Sequence, residues 1–489
     1  MLVEMLLQTA KEHAQAPAVA DASIRLTYKR LVGLSRIIRE YVIDNTNRER
    51  VGVILPASAL FSGCMFGVWW AKRTMVPLNF LLAADELRPL AQRAELDLIV
   101  SISHFKPLCE ELGIRALYLD ELPLKRRFAM LALKRTPPVP KVDPDETAVL
   151  LFTSGTSAQP KGVELSYRNL RSNAEDMVAS AEITPGHRLL NCLPPFHVFG
   201  LTTSALVPIA AGASSYCIPR FSPVAISKAI REEDISVFMA IPSMHGALLR
   251  LKSAPDDLFK NVFLLGSGGE PLAENIFAGY KKRFNARLLQ GYGLTETSPV
   301  CTLELPHRQR DGSIGKPIRN VQIRIVDENG ADVPQGHEGE IWIKGPNVMK
   351  GYRDDPESTA NVLTSDGWFK SGDAGKIDDD GFVYITGRIK EMLIVAGENV
   401  HPREIESVLE QHPAVAEAGV IGMTDPSRGE VPAAFVTLEE GATATEVELR
   451  DHARKSLAGF KVPKQIRILD ELPHGATGKL LRRKLVDLL

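Results

Sequence analysis

Cysteine is scarce in this chain: Cys64, Cys109, Cys192, Cys217 and Cys301 are the only five among 489 residues, with no CxxC or Cys/His spacing. That argues against a zinc site or a disulfide framework and fits reduced, buried thiols in a cytosolic protein. Charge of one sign is lacking too. A net charge of −2 removes the basic excess by which proteins capture nucleic acid broadly, so no nucleic-acid partner is expected. The N-terminal stretch MLVEMLLQTAKEHAQ has an acid at Glu4 and no basic segment before its apolar part. It reads as an amphipathic helix rather than a secretory signal. The G-x-x-x-x-G-K-[ST] pattern is absent, which excludes P-loop kinases and ATPases. No internal repeat or long low-complexity stretch interrupts the chain.

What is there is ample core material: 44% apolar and 24% charged residues. A chain of this length outgrows one hydrophobic core, so at least two domains are expected. Residues 51–71, VGVILPASALFSGCMFGVWWA, carry no charge and are long enough to span a bilayer. Pro56 divides them, however, so they read as a buried strand, a turn and a buried helix. Short apolar runs at 51–55, 97–100 and 116–119 alternate with helical patterns, the signature of a parallel sheet with crossover helices. The proline-rich 136–145 reads as an extended connector. A buried strand at 148–152, a Gly/Ser/Thr loop at 153–162 and a helix from about Ser166 follow. After residue 300 the texture changes. Residues 321–326, 340–344 and 382–386 look like strands separated by the turn clusters DENG and DDDG, an antiparallel section. Beyond Gly387 an α/β pattern returns over about a hundred residues. The segment 122–135, LPLKRRFAMLALKR, has five cations and no acid. It reads as a solvated helix packing one apolar stripe, with peripheral contact to an anionic membrane surface as the alternative.

Two loops carry chemistry. Residues 153–162, TSGTSAQPKG, offer small residues whose backbone amides and hydroxyls converge on phosphate oxygens, with Lys161 adding positive charge. Residues 291–299, GYGLTETSP, set Tyr292 between Gly291 and Gly293, so that an aromatic face can stack on a base. Glu296, between Thr295 and Thr297, is an oxygen ligand suited to Mg²⁺ on phosphates.

These two segments, with SGD (371–373), GRIKEMLIVAGENVHPREIE (387–406) and ATGKLLR (476–482), occur in the order of the adenylate-forming superfamily, which the chain resembles over almost its whole length. That superfamily contains acyl-CoA synthetases, peptide-synthetase adenylation domains and firefly-type luciferases. The resemblance implies an α/β fold. A large N-terminal domain (1–386) would combine parallel α/β subdomains with an antiparallel β section. A hinge (387–391) would lead to a small mobile α+β domain (392–489). It implies that Thr153, Ser154, Gly155, Thr156, Ser157 and Lys161 hold the β- and γ-phosphates of ATP. Tyr292 would stack on adenine, Thr295 touch the α-phosphate and Glu296 bind Mg²⁺. Asp373 would hold the ribose hydroxyls, helped by Arg388, with Lys390 as hinge. Lys479 would be the catalytic lysine between carboxylate and α-phosphate. Rotation of the small domain would then exchange Lys479 for the 397–399 loop, where Gly397 admits a pantetheine close to the backbone. The loop departs from the family in one place: Ser157-Ala158 stands where Thr-Gly is usual, and alanine disfavours positive φ.

The expected reaction joins a carboxylic acid to a thiol. Acid and ATP form an acyl-adenylate and pyrophosphate. Coenzyme A, or the phosphopantetheine of an acyl carrier protein, then takes the acyl group. A thiol with pKa near ~8.5 attacks such an anhydride without a dedicated base. His197, in PFHVFG (195–200), stands where peptide-synthetase domains present an aspartate to an α-amino group, so an amino-acid substrate is not expected. His197 gates or lines the acyl site, or packs. The apolar run 201–209, and FLLGSGG (263–269) leading through Gly268 and Gly269 into Glu270, suit an apolar tunnel ending in backbone amides. The chain looks most like medium- to long-chain fatty acyl-CoA synthetases. Acyl-carrier-protein synthetases and aryl-CoA ligases are the alternatives. A luciferase-like oxygenase shares every motif, whereas a silent acyl-binding protein is expected to lose Lys479 or Glu296.

Overall fold

The computed structural model describes residues 1–489 except 132–134, 154–159, 396–397, 426–428 and 476–479. Residues 51–71 fold as the periodicity and Pro56 indicate. Strand Arg50–Val53 is wholly buried, and helix Ala59–Trp70 is N-capped by Ser58, whose hydroxyl accepts from the Phe61 amide. Twelve residues rise only about 18 Å, too short for a bilayer. Among the described residues no helix is long and apolar enough to cross a membrane. The helix is apolar all round because it is enclosed all round. Trp69 Nε1 donates to the Ala148 carbonyl (3.0 Å). On the opposite side Gly67 meets helix Tyr28–Asn45, where a Cβ would come within 2.8 Å of Ile38 Cβ.

Two large sheets share this core. The first has seven strands, in the order Gly351–Tyr352, Lys161–Ser166, Thr147–Thr153, Thr74–Pro77, Arg50–Val53, Leu98–Ser101, Arg115–Tyr118. From Thr147–Thr153 onward the pairs are parallel. The second has nine strands, parallel from Pro17–Ala20 to Leu289–Gly293 and antiparallel at both edges.

One expectation is corrected here. The 153–162 loop does not lead from a strand into a helix: Lys161–Ser166 is itself a strand, antiparallel to Thr147–Thr153, so the loop closes a hairpin. Helix Tyr167–Ser180 begins after it, with Ser166 and Asn169 forming a reciprocal cap. KGVELS is short, and its buried Val163 and Leu165 carry too little alternation to separate strand from loop.

The antiparallel section is a sheet of four strands, Gln322–Val326, Gly339–Lys344, Phe369–Ile377 and Val383–Arg388. The third was not anticipated as a strand, because FKSGDAGKI is rich in Gly, Ser and Asp, residues depleted from strands. Beyond it, five strands and helices Pro402–Glu410 and Glu446–Arg454 surround a separate core of Leu393, Val395, Ile405, Val420, Val436 and Ile466. The chain is therefore mixed α/β, with a large N-terminal and a smaller C-terminal domain. The basic segment forms helix Leu124–Leu131, with Phe128 packed toward Gly33, Leu131 buried, and Lys125 and Arg126 exposed. All five cysteines are free and buried. Burial pushes the Cys192 and Cys301 thiols up to about 12, so neither supplies a thiolate near neutrality.

Candidate active site

Strand Leu289–Gly293 leaves the nine-stranded sheet, makes a tight 3₁₀ turn over Thr295–Thr297 and returns as Val300–Leu303. The turn closes on itself. Thr297 Oγ1 accepts from the Leu294 amide (3.0 Å) and donates to the Pro299 carbonyl (2.6 Å). Gly293 has to be glycine, because a Cβ there would overlap the Pro299 carbonyl. This geometry brings Thr295 and Glu296 half-exposed to the rim.

Tyr292 reaches the four-stranded sheet. Its hydroxyl donates to Asp373 Oδ2 at 2.6 Å. Burial first, and then the Asp373 carboxylate, push that hydroxyl well above the ordinary phenol range, so it stays a donor. Arg388 stands directly opposite Asp373 in the antiparallel register, its Nε 2.9 Å from Oδ1. Asp373 itself is almost fully buried while Arg388 is half exposed. The Asp373 amide donates to Ser371 Oγ (3.0 Å), which donates onward to the Ile341 carbonyl (2.6 Å). Gly372 between them takes φ +73°. The SGD motif thus works as a short kinked strand that aims one carboxylate at Tyr292.

Lys161 and Thr153 face each other across the mouth of the hairpin. Ser154, Gly155, Thr156, Ser157 and the departing Ala158 lie outside the described residues. So do Gly397 and Lys479. Lys161 Nζ lies 4.6 Å from the centre of the Tyr352 ring, and the Tyr352 hydroxyl donates to Glu296 Oε1 at 2.9 Å. Tyr352 therefore joins the two loops. Sequence reasoning missed it as a site residue. Burial, and then Glu296, raise its hydroxyl pKa.

Gly268 and Gly269 follow strand Leu264–Ser267. A Cβ on Gly268 would sit 3.0 Å from the Gly291 carbonyl and 3.6 Å from Phe199, and Gly269 takes φ +86°. The structure thus sets 268–269 beside Gly291 and the PFHVFG segment, with Glu270 next in the chain. His197 is half-buried, its ring 4.8 Å from that of Phe196, which packs edge-on against Phe80. The apolar run after it is a buried π-helical segment, Gly200–Leu206, a wide turn frequent at functional sites. Lys390 lies exposed in the 3₁₀ turn Ile389–Glu391 between the four-stranded sheet and the small domain.

A single carboxylate at the rim, Glu296, fits Mg²⁺ in its usual protein setting, one or two carboxylates completed by substrate phosphates. Among the described residues no three His, Cys, Asp or Glu converge on a metal-sized point, and that mode requires none.

The family model of AMP-binding enzymes matches residues 6–353, and that of the AMP-binding enzyme C-terminal domain matches 404–479. A long-chain-fatty-acid–CoA ligase of Yersinia pestis is 33% identical, covering 99% of this chain and 94% of that protein. A feruloyl-CoA synthase of an Amycolatopsis species is also 33% identical, over 97% and 96%. A sulfoacetate–CoA ligase of Cupriavidus necator is 32% identical, over 90% and 87%. Among solved structures, ATP-bound MatB from Rhodopseudomonas palustris superposes with TM-score 0.91 at 28% identity, covering 100% of this chain and 99% of that one. The apo form of that protein gives 0.83 at 29% identity, covering 100% and 98%.

Proposed function

This chain belongs to the family of AMP-binding enzymes and is an AMP-forming acid–CoA ligase, and from that premise we propose that its acid is a medium- to long-chain fatty acid. The observation that carries the nucleotide half is the Tyr292–Asp373–Arg388 group, which draws three separate motifs to one point. In this reading Asp373, steadied from both sides, accepts the ribose hydroxyls and the Tyr292 ring covers the adenine. Lys161 and the 153–157 loop take the β- and γ-phosphates. Glu296 holds Mg²⁺, which when bound neutralises phosphate charge. Carboxylate attack on the α-phosphate sets anion against anion, so positioned cations and donors supply most of the catalysis. Lys479 and Thr295 act at that phosphate, both roles assigned by resemblance.

For the acid, support comes from the buried segment Gly200–Leu206, whose preceding Phe199 lies against Gly268 and Gly269 to form one wall, and from the fatty-acid ligases among the relatives. His197 and Phe196 line its entrance. The feruloyl relative, at the same identity, favours an aromatic acid as the second reading. Coenzyme A is the acceptor, with acyl carrier protein as the alternative. Residues 387–391 form the hinge between 1–386 and 392–489. ATP–pyrophosphate exchange tests this directly, run with acetate, octanoate, palmitate, benzoate, coumarate and ferulate on wild type and Lys479→Ala. Exchange with octanoate or palmitate, abolished in the variant, is expected. Exchange with the aryl acids alone replaces the fatty-acid reading by the aromatic one.

A further inference from the structure

Glu296 and Lys161 belong to different parts of the large domain, the rim of the nine-stranded sheet and a hairpin of the seven-stranded sheet. The chain between residues 347 and 353 straps them together. On one side the Met349 amide donates to the Glu296 carbonyl (2.8 Å) and Asn347 Nδ2 to the Thr297 carbonyl (2.9 Å). On the other, the Lys350 amide donates to the Glu164 carbonyl (3.1 Å) and that of Arg353 to the Gly162 carbonyl (2.7 Å). Tyr352 pairs with Val163 in register, and its own amide donates to Thr359 Oγ1 (2.9 Å). From this doubly anchored backbone the Tyr352 side chain reaches between two charges. Its hydroxyl lies 2.9 Å from Glu296 Oε1 and its ring centre 4.6 Å from Lys161 Nζ.

We propose that Tyr352 is a positioning residue for the triphosphate end of ATP, holding the Glu296 carboxylate by its hydroxyl and the Lys161 ammonium by its ring. The proposal rests on the ATP and Mg²⁺ reading above. Among the described residues Lys161 and Glu296 form no ion pair with each other. A lysine and a glutamate free to meet would pair, and that pair would have to break before phosphates and metal bound. An aromatic ring between them gives the cation a neutral face to rest on. The phenol gives the carboxylate a donor that leaves its charge intact. Carboxylate and ammonium are thus kept apart and oriented before the ligand arrives.

The two functions of the side chain separate by substitution. Tyr352→Phe keeps the ring and removes the donor; Tyr352→Leu removes both. Calorimetric binding of ATP to the whole protein, titrated at increasing Mg²⁺, reads them without turnover. Tyr352→Phe raises the Mg²⁺ concentration for half-maximal ATP binding roughly tenfold, the size of one charge-assisted hydrogen bond. ATP binding at saturating Mg²⁺ is nearly unchanged in that variant. Tyr352→Leu also weakens binding at saturating Mg²⁺. In a Glu296→Gln background Tyr352→Phe has no further effect, as a shared role requires. A general structural defect would instead add to that of Glu296→Gln, and that result overturns the proposal. A Mg²⁺-dependent wild type with an unmoved Tyr352→Phe overturns the proposal alone. A wild type whose ATP binding ignores Mg²⁺ overturns the reading beneath it as well.

Discussion

His401 Nε2 lies 2.6 Å from Glu338 Oε1, a contact between the small domain and the large one. His401 precedes helix Pro402–Glu410, and Glu338 precedes strand Gly339–Lys344. Gly387, at the start of the proposed hinge, packs so closely that a Cβ there would overlap the His401 ring. The hydrogen bond with His401, above all, holds the Glu338 carboxyl below its ordinary 4.5. A depressed carboxyl stabilises above its unfolded value and loses that contribution as pH falls through its folded value. Protease cleavage at 389–391 is therefore expected to accelerate in Glu338→Gln at pH 7. Wild type and variant should converge only as the pH falls well below 4.5, through the lowered value; equal rates at pH 7 count against a latch.

Glu410 has the opposite sign. It is nearly fully buried at a cavity of about 210 Å³ between the domains, lined also by Glu274, His412 and Glu439. Burial raises its carboxyl to about 7 despite Arg403 at 3.1 Å, and Glu406 adds to the rise. A raised carboxyl costs stability as pH rises from its unfolded value, near 4.5, through about 7, on the order of 3 kcal/mol for such a shift. Glu410→Gln lacks that cost. Its melting temperature relative to wild type should climb between pH 5 and pH 8, and a pH-independent difference would contradict this account.

Removing the proposed ribose acceptor should damage ATP use rather than acid use. Asp373→Asn leaves Arg388 facing a neutral amide and weakens the Tyr292 bond. ATP KM is expected to rise roughly thirtyfold, or about 2 kcal/mol, while the KM for the acid stays within a factor of a few. Exchange kinetics with each substrate varied in turn will separate the two.

The close approach of two helices predicts a stability defect far from the site. Gly67→Val puts methyl groups into Ile38 and the Ser35 carbonyl, which a Cβ at residue 67 would already approach to 2.9 Å or less. Overpacking of this kind costs about 1–3 kcal/mol, readable as a lower urea midpoint. An unchanged midpoint would mean that the two helices separate freely.

Oxidants and alkylating agents should spare the enzyme. With all five cysteines buried, iodoacetamide at pH 8 is expected to label none natively and five in urea, leaving exchange activity intact. Loss of activity on native labelling would point to a thiol that opens to solvent.

Much of this protein was decided by local sequence. Pro56 and the charge-free flanks determined a strand, a turn and a buried helix. The order of five short motifs determined the family. Glycine at 293 was demanded by a turn that no side chain fits. The tertiary structure alone decided the rest, because the deciding contacts join residues far apart in the chain. Strand Phe369–Ile377 has no hydrophobic period to announce it, since its neighbours on both sides, rather than its own side chains, make it a strand. Tyr352 is an ordinary tyrosine until the pairing of Gly351–Tyr352 with Lys161–Ser166 sets it between Lys161 and Glu296. His401 and Glu338, 63 residues apart, meet only because two separate cores dock. Strand pairing and domain docking are non-local choices, and no window of residues contains both partners.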